Sequence, residues 1–64
     1  MKLIDFLKIL DKNTFVTLGI AVSGMQFETE HSAEFFIDHA DDINNRKIKT
    51  AYVTDGKLHI RLED

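Results

Sequence analysis

The dipeptide Asp55-Gly56 stands between two alternating runs, Ile48–Thr54 and residues 57–63, and narrows the fold more than any other feature of the chain. A connection of two residues needs positive φ at both, and Asp-Gly meets that need, so this stretch reads as a hairpin closed by a type I′ turn. Pairing Thr54 with Lys57 sets Val53 opposite Leu58 and Ala51 opposite Ile60 on one face. Tyr52 then meets His59, and Thr50 meets Arg61, on the other. Because side chains alternate with a period of two, the turn fixes which face is apolar.

A second two-residue connection, Ser23-Gly24, predicts an earlier hairpin. It pairs Val22 with Met25, Ile20 with Phe27 and Leu18 with Thr29. Val16, Leu18, Ile20, Val22, Met25 and Phe27 then share a face expected to be buried, while Gln26, Glu28 and Glu30 lie opposite with Thr17 and Ala21. Before each hairpin the apolar spacing is helical. Leu3, Phe6, Leu7 and Leu10 form one stripe over residues 1–10, with Asn13 as the expected left-handed stop. Ala33, Phe36, Ile37, Ala40 and Ile43 form another, opened by Ser32 as N-cap with Glu34 in the first turn, and expected to run to Asn44-Asn45. The predicted fold is a single α+β domain over residues 1–64, an αββαββ order of antiparallel hairpins with helices packed on one face. A polar second face suits such a sheet; nothing in the pattern says whether the two hairpins share one sheet.

At 64 residues such a chain buries only about 60% of the surface it exposes when unfolded. Its core must therefore be small, and self-association into a homo-oligomer would help it. The chain has no cysteine, so neither a disulfide nor a thiolate zinc knuckle can add to that core. No apolar run approaches the ~20 residues of a membrane span, and no signal-peptide pattern opens the chain, so the expected location is the cytoplasm, with no membrane partner.

Charge is unevenly placed. The net value is −3, but residues 25–45 carry Glu28, Glu30, Glu34, Asp38, Asp41 and Asp42 without one Lys or Arg. The bases Arg46, Lys47, Lys49, Lys57 and Arg61 follow. Such an acidic stretch repels phosphate, which disfavours direct nucleic-acid binding through it and points to a partner with a basic surface. Phe35, between the apolar and polar stripes of the second helix, either covers the sheet edge or serves that partner as an exposed anchor.

Other chemistry has little material. His31, Glu34, Asp38 and Asp42 fall on one stripe if the helical spacing extends over them, and with His39 on the flank, His31, Glu34, Asp38 and His39 make a candidate zinc set. A solvated helix face accounts for the same residues. His59 opposite Tyr52 could move a proton only if a carboxylate oriented it; a packed cross-strand aromatic pair is the simpler reading. The glycines belong to turns and match no phosphate-binding loop. Arg46, Lys47, Lys49 and Arg61 beside Tyr52 offer a small nucleic-acid-binding surface as a further alternative. The expected class is non-enzymatic.

The opening MKLIDFLKILDKNTFVTL, the central MQFETEHSAEFFID and the closing VTDGKLHIRL resemble small uncharacterised proteins carried by phages and prophages of Gram-positive bacteria. Those also run an amphipathic helix, an Asp-x-x-Thr turn (here residues 11–14), a strand, an aromatic-containing strand, a short helix and a terminal Asp-Gly hairpin. The likeness spans nearly the whole chain and consists of apolar spacing and turns. It implies an accessory protein working in the cytoplasm of the bacterial host, of the kind that includes inhibitors of bacterial defence, anti-CRISPR proteins among them. The partner it implies is a Cas9-type nuclease, whose nucleic-acid channels are basic. No site residue carries over from it.

Overall fold

Both two-residue turns adopt the geometry their residues favour: Ser23 and Gly24 have φ of 53° and 80°, Asp55 and Gly56 of 53° and 74°. In the computed structural model, which describes residues 1–63, the elements run α1 (Leu3–Ile9), β1 (Phe15–Val22), β2 (Met25–Ser32), α2 (Ala33–His39), β3 (Ile48–Thr54) and β4 (Lys57–Leu62). This is the predicted α+β order. The β1–β2 register is the one the turn dictates, with Val22 on Met25, Ile20 on Phe27 and Leu18 on Thr29. In β3–β4, Val53 faces Leu58, Tyr52 faces His59 and Thr50 faces Arg61, with one irregularity between Ile48 and Thr50.

The two hairpins share one four-stranded sheet of order β2-β1-β4-β3. Its central pair is parallel, Val16 level with Leu58 and Leu18 with Ile60. The sheet is therefore mixed, two antiparallel hairpins joined side by side. Val16, Leu18, Ile60 and Leu62 of the central strands meet Leu3 and Leu7 of α1 and Ala33 and Phe36 of α2, with Ala40 just beyond α2, in the buried core.

Both helices are shorter than their apolar stripes. α1 gives way to an extended Leu10, and Asn13 is not left-handed; instead Asp11 reverses the chain, its carbonyl accepting from Thr14 N at 2.9 Å and its Oδ1 from Asn13 N at 2.9 Å. α2 stops at His39 and does not reach Asn44-Asn45. The reason is Asn44, only 6% exposed, whose Nδ2 joins Ala40 N (3.1 Å) on the Phe36 carbonyl at 3.3 Å and donates to the Ile37 carbonyl at 3.4 Å, where it stands in for the next helical amide. Each helix start is in turn tied to a neighbouring loop: Ala33 N donates to Thr14 O and Glu34 N to Lys12 O, while Leu3 N donates to Arg46 O and Ile4 N to Asn44 O.

Seven helical residues extend about 10 Å at 1.5 Å each, whereas eight strand residues extend about 26 Å at 3.3 Å each. The helices cannot cover the sheet. Phe27 is 51% and Met25 61% exposed, and Val22 and Val53 are exposed too, contrary to the buried positions their alternation predicts.

Candidate functional site

Strand β2 lies at one end of the sheet. Its residues divide by parity: Met25, Phe27, Thr29 and His31 share the helix-bearing face with Val22, Ile20, Leu18 and Val16, and Gln26, Glu28 and Glu30 share the open face with Ala21, Gly19 and Thr17. At Ser32 the strand passes directly into α2, the Ser32 hydroxyl accepting from Phe35 N at 3.2 Å as an N-cap.

That direct passage brings His31 and Phe35 together. Their rings stack with centroids 3.8 Å apart and 20° between planes, and His39 tilts against Phe35 at 4.8 Å. Phe36 supports the group from the core, meeting His31 and Phe35 edge-on at 5.8 and 6.0 Å. Phe35 remains 39% exposed between the two imidazoles. His31 is thus a residue of β2, not of the helical stripe to which its spacing assigns it.

The six carboxylates do not share one surface. Glu34 and Asp38 are exposed on α2, and Asp41 and Asp42 are exposed in the turn that follows it, on the helix side. Glu28 and Glu30 point to the open face. Among the described residues there is one ion pair, Lys57 Nζ to Glu30 Oε2 at 3.5 Å, and Thr17 Oγ1 donates to the same oxygen at 3.3 Å. Glu28, Glu34, Asp38, Asp41 and Asp42 make no ion pair among those residues. Arg46 spends its guanidinium on the Glu63 carbonyl at 2.6 Å, away from these acids.

Among the described residues no three His, Cys, Asp or Glu side chains converge to hold a metal ion. Of the candidate zinc set, His31 and His39 both turn their rings to Phe35, and Glu34 and Asp38 are exposed.

The open face carries a groove of about 160 Å³ floored by Thr17, Gly19 and Ala21, with Glu28 on one wall and Tyr52, His59, Arg61 and Lys49 on the other. Tyr52 and His59 stack across the hairpin, centroids 5.0 Å apart and planes within 1°. Arg61 and Lys49 of the basic set reach this groove; Arg46 and Lys47 do not line it. Among the described residues no carboxylate hydrogen-bonds the His59 ring.

Sequence reasoning missed Asn44, whose role is set by a tertiary contact that no local pattern signals. It also missed the exposed strip Val22, Met25 and Phe27, visible only once the helix lengths are known. Among the described residues no helix is long and apolar enough to cross a membrane. Compared with family models, with curated proteins and with solved structures, the chain finds no match in any of the three.

Proposed function

We propose that this domain is a non-enzymatic protein-interaction module whose recognition element is the outer side of α2, and that its partner is a protein with a basic surface. The observation that supports this most is Phe35, part-exposed and held between His31 and His39, beside the exposed carboxylates of Glu34 and Asp38, which make no ion pair among the described residues. Protein interfaces place aromatic anchors at their centre and charges at the rim, where the charges steer encounter and select partners. A ring already fixed by two neighbours loses little freedom on docking.

The resemblance to phage accessory proteins makes a bacterial nuclease the first partner to try, a Cas9-type enzyme with its basic nucleic-acid channel in particular. Phe35→Ala should weaken capture of the partner by tenfold or more. Glu34→Lys with Asp38→Lys should abolish it at low salt. Capture or nuclease inhibition that survives the double charge reversal unchanged refutes the reading.

One observation favours a second reading. Lys49 and Arg61 reach the same groove as the stacked Tyr52 and His59, which is the combination that single-stranded nucleic acid uses, cations for phosphate and rings for bases. Glu28 in the opposite wall opposes it. Binding of a short oligonucleotide that falls steeply with salt, and is lost in Arg61→Ala, decides for it; no binding at low ionic strength removes it.

A further inference from the structure

The sheet has two free edges, and they differ. β3 starts beneath the N-terminal residues, Ile48 N donating to Met1 O at 2.9 Å and Lys2 bridging Lys47, and its ladder to β4 is irregular between Ile48 and Thr50. Irregular pairing, covered ends and lysines are the devices that keep edge strands from joining other chains. β3 has all three, Lys49 included.

β2 lacks the irregular pairing and the lysines, and only its last two residues, His31 and Ser32, are half-buried where it runs into α2. All eight of its residues pair with β1 without a shift, and the strand contains no Pro, Lys or Arg. Met25 closes a two-residue turn, so by the alternation of an antiparallel ladder Gln26, Glu28 and Glu30 turn their backbone N–H and C=O groups to the open edge. The side chains beside that edge are sorted: exposed apolar Met25 and Phe27 on the helix side, and on the other Glu28, which has no ion partner among the described residues.

We infer that β2 is a docking edge, at which an extended segment of the partner joins the sheet as an added strand, its apolar residues meeting Met25 and Phe27 and its alternating Lys or Arg residues meeting Glu28. This rests on the reading of the domain as an interaction module and adds the binding mode. Strand addition takes affinity from main-chain hydrogen bonds and specificity from alternate side chains. Charge disfavours a second copy as the occupant: in the two antiparallel registers that overlap most of the strand, Glu28 faces either itself or Glu30 of the copy, and like charges directly opposite are destabilising. The edge also leads, through His31, to Phe35, so one partner can span both.

The test uses the intact chain, isotope-labelled, with the synthetic peptide Ac-KVKVKV-NH2 as probe. Shift changes should concentrate on residues 25–32, with slowed hydrogen exchange at alternate amides of β2. The acidic counterpart Ac-EVEVEV-NH2 should not bind. N-methylating alternate peptide nitrogens should weaken binding by tenfold or more, and so should Glu28→Lys. No binding of the basic peptide, equal binding of the acidic one, changes confined to residues 34–42, or indifference to N-methylation each overturns strand addition. Gln26→Pro removes one outward amide and is tolerated on an edge; its effect on partner capture, set beside that of Glu34→Lys with Asp38→Lys, separates the two ideas. Loss only with proline leaves the edge standing without the α2 face, and loss only with the charge reversals does the opposite.

Discussion

Asn44 Nδ2 donates to the Phe36 carbonyl at 3.3 Å, joining the turn after α2 to the last turn of the helix itself. The same residue's backbone carbonyl accepts from Ile4 N at 3.0 Å, so one buried residue, by side chain and backbone together, holds the end of α2 beside the start of α1. Asn44→Ala leaves the Ile37 carbonyl without its donor, while the Phe36 carbonyl keeps Ala40 N. The expected cost is about 1–3 kcal/mol, read as a lower urea midpoint with an unchanged slope.

Phe35 and Phe36 are neighbours in sequence with opposite duties. Phe36 is 3% exposed and packs in the core, so Phe36→Ala should cost about 3–5 kcal/mol. A domain of this length has only about 3–10 kcal/mol of stability, and the variant should be largely unfolded by circular dichroism at 37 °C. Phe35→Ala should stay folded, with a loss under about 1.5 kcal/mol from its stacking partners. If the two variants unfold alike, Phe35 is a core residue and its availability to a partner is refuted.

The turns give a prediction independent of packing. A Cβ added at Gly24 or Gly56 would meet nothing within 4 Å, yet both have positive φ. Substitution therefore carries only the conformational cost, about 1–2 kcal/mol for Gly→Ala at either site. Ser23→Asn should do the reverse and stabilise slightly, since Asn tolerates the left-handed region better than Ser. Thermal melts of the three single variants check the order: S23N above the parent, G24A and G56A below it.

These turns also explain what was legible in the sequence. Each fixes a local register, and parity then assigns every residue of its hairpin to a face, so Tyr52 against His59 and Ile20 against Phe27 follow from the dipeptides alone. The parallel pairing of Val16 with Leu58 does not follow, because no turn joins β1 to β4 and their apolar residues would suit several neighbours. The apolar stripe of α2 overruns the helix for a related reason. Ala40 and Ile43 continue the helical spacing and do face the core, but from a turn. Their hydrophobic period reports the direction of the side chains, while the backbone is governed by Asn44. His31 shows the same confusion at the other end: four residues before Phe35, it stacks on that ring as a helical neighbour would, from a strand. The acidic run was legible as composition. Its division into two surfaces was not, since that depends on the chain crossing from β2 to the helix layer at Ser32.

Phe27 sits where the helices no longer reach, opposite a half-buried Ile20 and two residues from Met25 on the same face. A side chain that is 51% exposed contributes only part of the roughly 1.5–3 kcal/mol that full burial of a Phe would. Replacing it with Thr, which keeps the β-branched preference of a strand, should therefore lower stability by less than about 1 kcal/mol. Its consequence for solution behaviour should be larger. Exposed apolar side chains promote loose association through their surfaces, which the charge repulsion opposing strand pairing between copies does not prevent, so the Phe27→Thr variant should scatter less light and remain in solution at higher concentration than the parent while melting within a few degrees of it. A melting temperature that instead collapses would mean that Phe27 is covered in solution, and the uncovered strip on β2 would then be a feature of the isolated chain only.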